Sequence, residues 1–349
     1  MKVLSMMMFM CVIGVNGDMD DHNKDAHRRL CDVLRASVYK WEDVKKRDDD
    51  DPLRKALGRT LFGNDGRMDL ESIRTFSAVY RGDEDRDLFC GQRHAGYNKE
   101  KQLRWPGYSG PHDLLCLCTP GENGWPLKSS NDDRAKNKLC GQEKGTSASE
   151  NEGWSKNKEN KKGEKQMKAT WDGVVQECLK DDGHKRNLQD ALKVFTEKLE
   201  HKSGDVTNPD RYQLGEGTPN NWLACTGKPP YGVCVLYYNS TKQNEDMPWW
   251  KDLEDAIKIE QARQEQKKLE DKKQKQEETE KKKKGKNQKQ SQLPQETRAN
   301  ALKSTKTATE EAEQDNTQNI STPIATTEET SGTLITTPCS WLLSALLLI

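Results

Sequence analysis

The sequence lacks an apolar run long enough to cross a membrane, since a spanning helix needs about 20 apolar residues. Its marked apolar stretches lie at the two ends, at Val3 to Val15 and at Trp341 to Ile349. The chain as a whole is strongly hydrophilic, with 33% charged residues and a mean hydropathy of −1.06. We therefore expect no membrane-spanning helix, and the two apolar ends need a separate explanation.

An excess of either charge is also missing, because 57 Lys and Arg residues balance 57 Asp and Glu residues. Proteins that bind nucleic acids use a basic surface to neutralise phosphate groups. The run KKKKGK at 281–286 is basic, but flanking glutamates neutralise it. We expect no nucleic-acid partner.

Short motifs of common enzymes are absent: there is no H-E-x-x-H, no G-x-S-x-G and no Gly-rich loop between a strand and a helix. No pair of cysteines has the two-residue gap of a zinc knuckle. The histidines are scattered in polar surroundings, and each is expected at the surface: His22, His27, His94, His112, His184 and His201. The prediction is a protein that is not an enzyme and has no catalytic residue, metal ion or cofactor.

The N-terminus reads MKVLSMMMFMCVIGVNG. Lys2 precedes the apolar run, and small residues follow it at Asn16 and Gly17, which is the layout of a secretory signal peptide. A buried N-terminal strand or helix is the alternative, but a markedly acidic stretch follows at once. The prediction is a signal peptide at 1–17.

The C-terminus matches a lipid-attachment signal. Small residues at Ser331, Gly332 and Thr333 precede a short uncharged spacer and the terminal apolar run. A C-terminal core helix is the alternative. We expect a glycosylphosphatidylinositol (GPI) anchor at Ser331 and removal of residues 332–349. Together with the signal peptide, this places the protein on the extracellular face of the plasma membrane, held there through the lipid alone.

Two of the ten cysteines, Cys11 and Cys339, lie in the segments expected to be removed. The even number that remains is typical of an oxidising compartment, and we expect all of these to form disulfides: Cys31, Cys90, Cys116, Cys118, Cys140, Cys178, Cys225 and Cys234. The sequence does not choose the pairing. If Cys116 and Cys118 lie on a strand they point the same way, which favours different partners. Metal binding is the competing interpretation.

Helical spacing of apolar residues predicts a long first helix from Ala26 to Val44. Shorter amphipathic pieces follow at 53–61 and 70–80, and the Asp run before Pro52 is expected to cap a helix. Helical spacing resumes at 167–199, whereas Gly, Pro and Cys between the helical segments indicate loops held by bridges.

The predicted fold is mainly α: an elongated helical hairpin or three-helix bundle with a disulfide-rich, loop-rich head, followed by a charged flexible stalk. The folded helical domain is expected at 18–245, with the head insertion at about 88–165. A charged helix and a Thr/Ser/Gln-rich stalk follow at 246–331. Asn239 and Asn319 each begin an N-glycosylation sequon.

The whole layout resembles the variant surface glycoproteins of African trypanosomes, in particular the kind found in Trypanosoma congolense. The resemblance rests on the early cysteine in a long first helix, the motif CLCTPG at 116–121, the cysteine-free charged stalk and the short lipid signal. It implies a homodimer packed among neighbouring coat molecules, with head loops that meet host antibodies. Antigenic variation and immune evasion are further implications. A low-copy anchored receptor for a host macromolecule on the same scaffold is the alternative.

Overall fold

We analysed a computed structural model of the chain, which describes residues 20–64, 66, 68–81, 85–94, 100, 102–128, 137–143, 152–155, 163–181, 186–204, 210–239 and 247–289. The predicted signal peptide, Asn319, Ser331 and the terminal apolar run lie outside these residues. Contacts divide the chain into two units, Met1–Gly285 and Lys286–Ile349. Of the second unit only 286–289 are described, as helix, and the account below concerns the first.

The fold is mainly α-helical, as predicted. The helices are α1 (Lys24–Val44), α2 (Pro52–Phe62), α3 (Arg86–Cys90), α4 (Gly110–Cys118), α5 (Glu164–Thr170), α6 (Gln176–Cys178), α7 (Leu188–Thr196) and α8 (Trp249–Lys289). A π-helical turn at Trp171–Val175 joins α5 to α6. Helix α1 buries the predicted stripe, and α2, α4, α6 and α7 all pack against it.

The Asp run ends in a helix cap, as predicted. Asp51 accepts a hydrogen bond from the backbone N–H of Arg54 at 3.0 Å, and Pro52 begins α2. Arg263 on α8 also donates to Asp51, at 2.8 Å. Burial alone would raise the pKa of Asp51, but the hydrogen bonds from Arg263 and Arg54 hold it at about 2. This carboxylate therefore caps α2 and fastens α8 to it.

Two three-stranded sheets occur where loops were expected. The first contains β1 (Asp21–His22), β2 (Lys138–Leu139) and β3 (Gln142–Glu143), with β1 parallel to β2; the second contains β4 (Glu200–Lys202), β5 (Arg211–Glu216) and β6 (Val233–Tyr238), all antiparallel. Strand β6 is buried from Val233 to Tyr237. A short strand buried on both faces has no polar alternation, so periodicity could not reveal it.

Two further predictions are wrong. The segment 70–80 forms 3₁₀ turns at Leu70–Ile73 and Ala78–Arg81, not an amphipathic α-helix. Cys116 and Cys118 lie on helix α4, inside the insertion expected to be loops, and not on a strand. Every residue of α4 is buried, so its sequence shows no apolar stripe.

All eight cysteines of the folded region are paired. The bridges are Cys31–Cys178, Cys90–Cys116, Cys118–Cys140 and Cys225–Cys234. The first joins α1 to α6, and the next two hold α4 to α3 and to the turn after β2. Cys116 and Cys118 have different partners, as expected, although the reason is helical geometry.

Helix α8 begins inside the core. Trp249, Trp250 and Leu253 are buried, whereas the side chains from Gln264 to Lys283 are all exposed. Pairs such as Lys282 with Glu278, four residues apart and 2.6 Å between charged atoms, support this solvated part. The boundary between the folded domain and the stalk segment, between residues 245 and 246, stays a prediction. The structure adds that Trp249, Trp250 and Leu253, just beyond this boundary, belong to the core. None of the described helices is both long and apolar enough to cross a membrane.

The bridges should differ in their contribution to stability. Cys31 and Cys178 are 147 positions apart, whereas Cys225 and Cys234 are 9 apart. Because a bridge that closes a longer loop restricts the unfolded chain more, replacing the first pair by alanines should cost about 2 kcal/mol more than replacing the second. Denaturant unfolding of the two double variants measures this difference. Equal losses would contradict the prediction.

Candidate functional site

A buried carboxylate joins three parts of the molecule. Asp113 on α4 is 0% exposed. Its Oδ1 accepts the backbone N–H of Gly107 at 3.0 Å, and its Oδ2 accepts the Tyr237 hydroxyl at 3.0 Å and the Trp249 indole N–H at 2.7 Å. The loop before α4, strand β6 and the start of α8 therefore meet at one side chain, which we call the Asp113 centre.

Burial dominates the electrostatics of the Asp113 centre. It raises the pKa of Asp113 to about 7, although the hydrogen bonds from Gly107, Trp249 and Tyr237 favour the charged form. Burial, together with the neighbouring Asp113 charge, raises the pKa of Tyr237 well above its usual range, so this hydroxyl remains a donor. The enclosed carboxylate has a structural role, since it accepts hydrogen bonds from three separate parts of the chain.

The Asp113 centre predicts an unusual pH dependence. Between about pH 4 and pH 7 the folded chain keeps the Asp113 proton that the unfolded chain releases, so the contribution of Asp113 to stability falls as pH rises. The Asp113→Asn variant cannot lose this proton and should gain stability relative to the unsubstituted protein across this window. Unfolding free energies of both proteins between pH 4 and pH 8 measure the effect.

Tyr237→Phe supplies a second variant, because it removes one donor to Asp113 Oδ2. Losing a hydrogen bond that favours the charged form should raise the pKa of Asp113 further. The pH range over which stability falls should therefore extend to higher pH. If the stability difference between Asp113→Asn and the unsubstituted protein does not change with pH, Asp113 does not titrate as described.

A buried arginine joins α3 to the end of α4. Arg86 is 0% exposed. Its Nη1 donates to the carbonyl oxygens of Thr119 at 2.9 Å and Trp154 at 3.1 Å, and its Nη2 donates to that of Cys116. Its guanidinium also lies 5.2 Å from the centre of the Trp154 ring. Burial lowers the pKa of Arg86 to about 9. A cation is thus bound by backbone carbonyls at a helix C-terminus, where the helix dipole favours it.

Lysine should not replace this arginine. Arg86→Lys keeps the charge but loses the planar group that reaches several carbonyls at once, so buried acceptors are left without partners. We expect a loss of about 2–4 kcal/mol in the unfolding free energy. The control is Arg74→Lys, at a side chain that is 67% exposed, where the change should stay within about 0.5 kcal/mol. Similar losses in the two variants would show that the hydrogen bonds from Arg86 to the backbone carbonyls are unimportant for stability.

His112, expected at the surface, is buried on α4, so that prediction is wrong. Its Nδ1 lies 2.9 Å from the Tyr80 hydroxyl, and its Nε2 lies 3.0 Å from the Phe89 carbonyl oxygen. Burial lowers the pKa of His112 to about 3, so the ring is neutral, with Nε2–H donating and Nδ1 accepting. The polar neighbours of His112 in the sequence gave no sign of burial, because α4 is enclosed on all sides.

The other histidines have varied surroundings. His22 lies 2.7 Å from a Glu216 carboxylate oxygen, and this hydrogen bond raises its pKa. His94 stacks on Trp105, His201 is exposed, and His184 lies outside the described residues.

One cluster has metal-ligating atoms within reach of one another. In the part of the chain that the structure describes, His27, Cys31 and Cys178 place their ligand atoms within 4.8 Å. Both sulfurs belong to the same disulfide, however, and a metal requires thiolates. The oxidised chain therefore offers only one ligand here.

Among the predicted modification sites, the structure describes only Asn239. It follows β6 and is partly exposed, and its backbone N–H donates to the Asp210 carbonyl oxygen at 3.0 Å. Glycosylation at Asn239 and Asn319 and the anchor at Ser331 stay predictions.

These observations define a class: a disulfide-held helical domain whose buried polar groups join its elements and, in the described ranges, form no evident catalytic set. A family model described as the trypanosomal VSG domain matches residues 19–277. The chain belongs to this family, which comprises trypanosome surface-coat proteins. The resemblance seen in the sequence is thereby confirmed at the level of the family. A search of curated proteins found no match.

Proposed function

We propose that the protein is a GPI-anchored coat glycoprotein of the Trypanosoma congolense kind, which shields the parasite surface from host antibody and complement. The observation that carries the proposal is the family match over residues 19–277. The expected signal peptide and lipid-attachment signal support a location on the outer face of the plasma membrane. Bulk and surface variety, not a catalytic site, would provide the function.

The proposed coat role has a simple physical basis. A lipid anchor gives stable attachment while leaving the protein free to diffuse in the plane, and a homodimer has two anchors. The solvated part of α8 from Gln264 to Lys283 would act as a spacer of about 30 Å at the usual helical rise. Dimers packed side by side with neighbouring coat molecules would then keep antibodies and complement away from shorter membrane proteins.

Variation would affect only part of the molecule. Exposed loops are the surfaces that host antibodies meet, and the resemblance to the family implies that they change from one gene product to the next. Glycans at Asn239 and Asn319 would add bulk. Antigenic variation and immune evasion follow from this combination of a replaceable surface and a dense layer.

The anchor can be tested on intact cells. Phosphatidylinositol-specific phospholipase C should release the protein in soluble form, because the enzyme removes the diacylglycerol that holds it. A control chain that ends at Thr330 lacks the attachment signal and should appear in the medium without treatment. Mass spectrometry of the mature protein should find no peptide containing Ile349. Detection of Ile349 on cell-associated protein would overturn the anchor.

The alternative, a low-copy anchored receptor for a host macromolecule, is separated from the coat by the number of copies per cell. A coat must cover the membrane, whereas a receptor need not. Quantitative surface labelling gives this number directly, and a sparse protein would favour the receptor.

A further inference from the structure

A cavity of about 520 Å³ lies between the end of α2, the two 3₁₀ turns, the loop before α4 and the π-helical turn. We call it the aromatic cavity, since its walls include Phe62, Phe76, Tyr80, Tyr108 and Trp171. Three of these rings pack on one another, with Phe76 centred 5.6 Å from Tyr80 and 6.1 Å from Trp171. Its volume is in the range of small-molecule sites, and the ring contacts make it preformed.

The charged side chains in the described lining of the aromatic cavity are all basic. Arg81 and Arg104 both line it, and its described lining includes no Asp or Glu. The guanidinium of Arg104 lies 4.2 Å from the centre of the Tyr108 ring, which fixes its position at the wall, whereas Arg81 is exposed. Two guanidinium groups beside an apolar wall favour a ligand with an anionic group.

The backbone at the cavity wall is also unusual. Trp171 begins the π-helical turn Trp171–Val175, a feature frequent at functional sites. The turn places Trp171 in the cavity wall, with its ring next to that of Phe76.

We propose that the aromatic cavity binds a small amphipathic anion, with an aromatic or short hydrocarbon body and one carboxylate or sulfonate group. The rings contact the apolar body, and the arginines pair with the anionic group. A small cation would find no carboxylate in the described lining, and inorganic phosphate leaves the ring surface without a partner. The inference does not depend on the coat function.

The test uses protein expressed from the full sequence and the fluorescent probe 1-anilinonaphthalene-8-sulfonate, which has the proposed chemistry. Titration should show saturable binding of one probe per chain. Arg81→Gln should raise the Kd about threefold to tenfold, because it removes one charge-assisted contact from an exposed side chain. The matched control is Arg28→Gln, at an exposed arginine that lies outside the cavity lining.

Two comparisons decide the outcome. N-phenyl-1-naphthylamine, which has the same rings without the sulfonate, should bind at least threefold more weakly than the charged probe. Circular dichroism and thermal unfolding of each variant establish that weaker binding is not a loss of fold. Equal affinity for the two probes, an unchanged Kd in Arg81→Gln, or no saturable binding would overturn the proposal.

Discussion

The complete burial of α4 is the constraint on which the rest of the structure depends. All nine of its residues, Gly110–Cys118, are enclosed, and α1, α2, α3, α5, the π-helical turn and β6 all pack against it. Its polar side chains must therefore find partners on other elements, since an unpaired buried group is costly. Asp113 bonds to β6 and α8, while His112 bonds to the 3₁₀ turn at Tyr80. The same helix includes two cysteines, and each bridges to a different neighbour. The polar groups of α4 thus determine which elements surround it.

This arrangement explains how a chain with only 32% hydrophobic residues maintains a fold. Apolar burial is concentrated along α1 and around α4, and covalent bridges and buried hydrogen bonds hold the remaining elements to them. Gly110 illustrates how close the packing is, because a Cβ at this position would lie 2.6 Å from Leu34 Cδ2. A buried charge such as Arg86 adds little to the net free energy of folding, but separating it from its partners is costly. We infer that such groups favour this arrangement of the helices and strands over others. Specific connections therefore compensate for the limited apolar area.

The sequence predicted the elements that have one apolar face and missed those buried on every side. Helix α1 and the first turns of α8 alternate buried and solvated positions, so their spacing reveals them. Helix α4 and strand β6 have no solvated face, and a short apolar run does not distinguish helix from strand. The pairing of Cys116 and Cys118 depends on this hidden helix. The Asp113 centre was equally out of reach, because Tyr237 and Trp249 lie more than a hundred positions from Asp113.

Burial also separates the residues that maintain the scaffold from those free to vary. A substitution at an exposed position usually changes stability by no more than about 0.5 kcal/mol, whereas one at a buried polar contact costs several times more. The scaffold groups Asp113, Arg86 and the cysteines are buried, while long stretches of α8 and several loops are exposed. A surface of this kind can exchange most of its side chains without altering the connections beneath it. A dense coat requires the same combination, since neighbouring molecules must pack alike while presenting different surfaces. The enclosed helix α4 thus provides the physical basis on which the proposed variation of the surface can occur.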